Sequence, residues 1–166
     1  MTVAMQQLIL KMQGVADAFE EAVYSTHDVD AALAMFADDA TLESLPLSAA
    51  ARSGVALRRH LDEDVLPHLP ADLTIRRVSR TADIRRLADE RVFEFTHDRE
   101  LPWLLPGVAP THRRAQVRAI SLVAFRHRTR GAVTASLISS HRTLWDQAGL
   151  LAQLRLAPAD VARLAS

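Results

Sequence analysis

Residues 117–127, Val-Arg-Ala-Ile-Ser-Leu-Val-Ala-Phe-Arg-His, constrain the fold more than any other stretch of the chain. Their β-branched and aromatic content marks a strand. Successive strand side chains point to opposite faces. One face therefore carries Val117, Ala119, Val123 and Phe125, and the other Ile120, Leu122 and Ala124. A strand apolar on both faces is covered on both. The chain's own helices can supply one cover. A second copy is the simplest source of the other, so the sequence predicts a homodimer through the sheet face.

The elements around this strand follow a helix-first order. Ala4, Leu8, Met12, Val15, Phe19 and Val23 make one helical stripe. Asp28 or Asp30 then starts a short helix with Val29, Leu33 and Phe36 on one side. Ala40–Leu45 reads as a short strand. Gly54 opens a third helix through Leu57, Leu61 and Val65, which Pro67 and Pro70 end. Its Arg58, Arg59, Asp62 and Glu63 read as a solvated face. Strands follow over Leu73–Ile84 and Arg91–His97, with a polar turn around Arg85–Asp89. Residues 101–110, with three prolines, form no regular element. Val117–His127 and Val133–Leu144 are long strands joined at Arg130-Gly131. A helix through Ala148, Leu151 and Leu154 and a final turn from Pro158 to near Leu164 close the chain. Helices first and hairpin-linked strands after argue for α+β with an antiparallel sheet. With 166 residues and no repeat or linker, one domain is expected.

Composition removes several functions. The 20 basic and 20 acidic residues cancel, which leaves no electrostatic footprint for nucleic acid and no polybasic tail for a membrane. The lack of cysteine excludes disulfides and thiolate chemistry. No leader-like segment and no run of about 20 apolar residues occurs, so a cytoplasmic location is the default. The glycines at 14, 54, 107, 131 and 149 form no phosphate loop. No histidine pair has the spacing of a helix-borne metal site. The expectation is a protein with neither metal nor organic cofactor.

Three motifs carry a resemblance: VSRTAD at 78–83, FTHDRELPWLLPGVAPT at 95–111 and LWDQAGLLAQLRL at 144–156. Together they resemble a SnoaL-like subgroup of the nuclear transport factor 2-like superfamily, over roughly residues 20–157. The resemblance implies a cone-shaped α+β barrel, a curved and mostly antiparallel sheet wrapped around N-terminal helices. It also implies an internal pocket between helices and sheet. The superfamily includes polyketide cyclases, ketosteroid isomerases, dehydratases, epoxide hydrolases, pericyclic cyclases and non-catalytic binders, so the residues must choose. The chain departs from its subgroup at three places. His141-Arg142-Thr143-Leu144 stands where relatives usually have Glu-His-Ile-Tyr. His112 replaces a Gly after Pro-Thr, and Pro102 an acidic residue before Trp. Chemistry that depends on the usual Glu and Tyr is altered or absent here.

Four residues are candidates for proton transfer. His97 and Asp98 end a strand ahead of the proline-rich loop, and adjacent strand residues face opposite ways, so one of them reaches the pocket. The alternative is that Asp98 caps the turn and His97 binds backbone. His141 shares a strand face with Thr143 and Trp145, where relatives place Glu, and histidine is the usual base near neutral pH. Glu43 lies mid-strand between apolar neighbours, or faces water at an edge. Trp103, Leu104, Trp145, Phe95 and Phe36 are candidates for holding a substrate. Asp146 reads as a helix cap. The expected function is a cofactor-independent cyclase or isomerase, including a pericyclic cyclase, acting on a hydrophobic polyketide-type molecule. A ligand-binding protein, or a hydrolase or dehydratase with a pocket carboxylate, are the alternatives.

Overall fold

The computed structural model describes residues 1–47 and 49–162, with backbone alone at Ala49 and Ser53. Helix α1 (Val3–Tyr24) starts at Thr2, whose hydroxyl accepts the Met5 N–H, and it buries Met12, Ala16, Phe19 and Val23. Asp28 caps α2 (Val29–Ala34) by accepting the Ala31 N–H at 2.9 Å. Phe36 does not continue that helix. It begins β1 (Phe36–Leu45), four residues ahead of the predicted strand start. After β2 (Ala49–Arg52) comes α3 (Ser53–Arg59), which widens into a π-helical segment (His60–Val65) and a 3-10 turn (Leu66–His68). The solvated face expected here is present, with Arg59 bonded to Glu63 at 2.9 Å.

The second half is sheet. It comprises β3 (Thr74–Ala82), β4 (Arg86–Thr96), β5 (Arg114–Arg130) and β6 (Val133–Trp145). The six strands run in the order β2-β1-β6-β5-β4-β3. All neighbours are antiparallel except β1 and β6. The α+β class and the mostly antiparallel sheet match expectation. The sheet is not closed into a barrel, however, because β2 and β3 are free edges. Helix α4 (Gln147–Leu154) follows, with Asp146 accepting the Gly149 N–H at 3.0 Å as its cap. The last element among the described residues is a 3-10 turn (Pro158–Asp160). The predicted end near Leu164 lies outside the described residues. Among these residues no helix is long and apolar enough to cross a membrane.

Two details position the inner face. First, the β3–β4 turn is tighter than predicted. Asp83 makes it alone, its Oδ1 accepting the N–H groups of Arg85 and Arg86, so Arg86–Asp89 join the strand. Second, β6 carries a bulge. Phe125 pairs with Ile138 but Ala124 pairs with Ser140, leaving Ser139 as the extra residue, and its hydroxyl donates to the Ala124 carbonyl at 3.2 Å. A bulge shifts the inward-facing set by one residue. Before it, Ser136 and Ile138 are buried. After it, His141, Thr143 and Trp145 face the interior.

The doubly apolar β5 behaves as its alternation dictates. Ala115, Val117, Ala119, Ser121, Val123 and Phe125 are buried, with α4 packed against this strand. Ile120 and Leu122 stay 44% and 43% exposed on the outer face.

Candidate active site

The interior cavity sits where α1, the π-helical segment and the inner face of β1 and β6 meet. Its volume is about 50 Å³. Helix α1 contributes Phe19, Val23 and Tyr24, and the π-helical segment His60, Leu61 and Val65. Leu42 and Ser44 come from β1, and Trp103 from the proline-rich loop. His141, Thr143 and Trp145 line it from β6, on one face as the alternation predicted. Aromatic contacts pack this wall. The Phe19 and His141 rings lie 5.1 Å apart, and Trp103 and Trp145 5.6 Å apart. The Trp145 Nε1–H donates to the Ser44 hydroxyl at 2.9 Å.

Among the described residues the His141 ring is bonded to no other residue's side chain, and its own backbone is the hydrogen-bonding group beside it. Burial, reinforced by the positive charge of Arg91, pushes its pKa down to about 4. Its imidazole is therefore neutral at physiological pH, with one lone pair available to take a proton. Tyr24 moves the other way. Burial, with the Glu20 charge adding to it, raises its phenol to about 12 and keeps it protonated.

The other predicted site residues are dispersed. His97 is fully buried but does not line the cavity. Its Nδ1 accepts the Thr111 N–H at 3.3 Å and lies 3.1 Å from the Thr111 hydroxyl. Burial holds its pKa below the ordinary value. Asp98 points outward onto Arg99 at 2.9 Å, and that pairing keeps its carboxyl low. Glu43 reaches the cavity rim, yet its carboxylate accepts from the Arg142 Nε at 2.6 Å. The register explains this: Leu42 pairs with His141 on the inner face, and Glu43 with Arg142 on the outer. Leu104, Phe95 and Phe36 are core residues outside the cavity lining, whereas Trp103 and Trp145 form its wall.

Sequence reasoning missed the polar part of the inner face. Across the sheet, Ser44, Thr143, Ser121, Asp89 and Arg80 stand in one pairing row. Asp89 is 1% exposed. It accepts from the Arg80 Nε and Nη2, both at 2.6 Å, and from the Arg91 Nη2 at 2.5 Å. Asp17 and Glu20 of α1 complete the network through Arg77, Arg80 and Arg91. Burial raises the Glu20 carboxyl above its usual range. Burial also works against Asp17, but Arg80 and Arg77 hold that carboxyl low. The signal was present in the alternation Leu87, Asp89, Arg91, Phe93, Phe95. Reading the charges as a turn broke it. Tyr24 and His60 gave no such signal, because only the packing of α1 and the π-helical winding bring them to the cavity.

Comparisons with solved structures agree with this architecture. A candidate SnoaL-like polyketide cyclase from Jannaschia sp. CCS1 superposes with a TM-score of 0.68 at 12% identity, covering 91% of this chain and 96% of that one. The candidate polyketide cyclase IdmH from Streptomyces antibioticus gives 0.58 at 18% identity, over 87% and 98% of the two chains. A ketosteroid isomerase-like protein from Erwinia carotovora atroseptica SCRI1043 gives 0.56 at 16% identity, over 83% and 95%. No family model and no curated protein matches the sequence itself. Helices packed on the inner face of a mixed six-stranded sheet, shared over nearly the whole chain with these structures, give this protein the nuclear transport factor 2-like fold.

Proposed function

We propose that this protein is a cytoplasmic, cofactor-independent cyclase or isomerase of a hydrophobic, polyketide-type ketone. The observation that supports it is the neutral imidazole of His141, without a side-chain partner among the described residues, on the cavity wall. A base in such a place takes a proton from carbon beside a ketone. The C–H electrons move onto the carbonyl oxygen and form an enolate. Trp103 supplies a donor for that oxygen, since its buried Nε1–H has no partner among the described residues. The enolate carbon then attacks a second carbonyl of the same molecule, or is reprotonated elsewhere. Either way His141 returns the proton, and no cofactor is consumed.

The cavity is far smaller than the roughly 300–1,000 Å³ of small-molecule sites. The reading therefore requires the cavity to widen. Helix α1, the π-helical segment and the Trp103 loop are the walls outside the sheet's hydrogen-bond ladder, and the substrate enters by displacing the last two. A ligand-binding protein without turnover, the second reading, requires the same widening.

The test is a panel of linear triketone esters and a Δ5-3-ketosteroid, followed by absorbance of the cyclised or conjugated product. Turnover that drops about 10²–10⁴-fold in His141→Phe supports the enzyme. Thermal stabilisation by panel members without turnover would establish the binder instead. Turnover unchanged in His141→Phe removes the base assignment.

The partner is a second copy of the chain, docked on the outer sheet face. There Arg118 is neutralised by Glu90 and Arg142 by Glu43. Between these pairs Ile120, Leu122 and Leu144 are left uncovered, beside a shallow groove of about 540 Å³.

A further inference from the structure

We propose that His60, held by Asp64, is a second proton-transfer residue that connects the cavity to solvent; this rests on the reading of His141 as the base. His60 opens the π-helical segment. It lines both the interior cavity and a surface groove; Tyr24 also stands between the cavity and a second groove, but its phenol stays protonated. The His60 groove is formed by Ala50, Ala51, Ala56, Arg59, Glu63 and Asp64. Its imidazole thus spans the wall between inside and outside, with a side chain 16% exposed.

Asp64 sets the tautomer. Its Oδ2 lies 3.0 Å from the His60 Nδ1. A carboxylate only accepts, so Nδ1 carries the hydrogen and Nε2 keeps its lone pair on the opposite edge of the ring. The other charged or titratable neighbours are engaged elsewhere. In the groove, Arg59 bonds Glu63 at 2.9 Å. At the cavity, Glu43 bonds Arg142 at 2.6 Å, and Tyr24 stays protonated. This leaves Asp64 as the carboxylate for His60 and His141 as the group that shares its cavity.

A cavity of about 50 Å³ exceeds the ~10–15 Å³ that one water needs. The polar side chains of His60, His141, Ser44 and Thr143 offer that water its partners. The step balances as follows. Protonated His141 gives an N–H proton to the water. The water gives one of its protons to the His60 Nε2. His60 releases its Nδ1 proton along Asp64 to the groove. The outward run leaves His60 as its Nε2–H tautomer. The inward run, in reverse order, resets Nδ1–H and brings a proton back to His141, which again holds one to return to the substrate, and only N–H and O–H bonds change. Asp64 is a positioning residue in this scheme.

The experiment needs no substrate. Nitrogen-15 NMR of the intact protein reads the His60 tautomer, and solvent exchange of the His141 ring N–H reads the relay. The expected result is Nδ1–H on His60 in the wild type. Asp64→Ala shifts His60 toward Nε2–H, and His60→Gln and Asp64→Ala each slow the His141 exchange at least tenfold. Asp64→Glu restores both signals. A wild-type His60 protonated on Nε2, or His141 exchange unchanged in a folded variant, overturns the relay. Should His60→Gln not fold, the half-exposed Asp64 position carries the same test. Slowed exchange together with ketone turnover unchanged in His141→Phe would sink the base assignment and leave the relay standing.

Discussion

His141 of β6 faces Phe19 of α1 with ring centroids 5.1 Å apart and planes at 58°. That contact is part of the packing that buries the imidazole, and burial is the main cause of its low pKa. In the unfolded chain the same group titrates near 6.5. Between pH 6.5 and about 4 the unfolded state thus holds a proton that the folded state lacks. Stability falls as pH drops through this window, by on the order of 3 kcal/mol in total from this group. His141→Phe removes that component. Urea midpoints at pH 7 and pH 4.5 for both proteins check it; an identical pH response would refute the assignment.

Asp89 gives a second prediction. It is the shared acceptor of Arg80 and Arg91 beneath α1, so Asp89→Ala leaves buried guanidinium groups short of a partner. The expected cost is about 3–5 kcal/mol. Arg118→Ala, which removes a mostly exposed partner of Glu90, should cost less than about 1 kcal/mol. Denaturation curves of the two variants, measured together, test the contrast.

Trp103 separates shape from polarity. Its indole is nearly fully buried, so Trp103→Ala should cost about 3–5 kcal/mol and enlarge the cavity. Trp103→Phe keeps most of the packing and removes an N–H that is unpartnered in the free protein. Its expected cost is under about 1.5 kcal/mol. If the N–H serves a substrate carbonyl, Trp103→Phe lowers ketone turnover far more than it lowers the melting temperature. Matched losses in both would count against that role.

The outer face is tested by charge. Leu122→Asp places a carboxylate in the middle of the exposed apolar stripe, where a self-complementary interface would repeat it on both copies. Light scattering should show a dimer for the wild type and a monomer for the variant. A wild-type monomer at micromolar concentration would refute the dimer, and the exposed Ile120 and Leu122 would need another partner.

Period-two and period-3.6 patterns determined the helix-first order, the two faces of β5 and the set His141, Thr143 and Trp145, and residue type marked Asp146 as a cap, while leaving Asp28 or Asp30 to start the second helix. These are local consequences of backbone geometry, and the sequence states them directly. It also supplied the motifs that point to the fold. What it did not contain was the phase of the inner face. Ser139 bulges out of β6, and that one extra residue relates the His141 face to the buried Ile138. Nor did it contain the company His141 keeps. Asp89 looked like a turn residue until β3, β4 and α1 assembled around it and Arg91. His60 became a cavity residue only through the π-helical winding of its segment. Burial and charge pairing arise between residues far apart in the chain. The proton affinities at this site were therefore settled by tertiary structure, and with them the chemistry that the cavity can support.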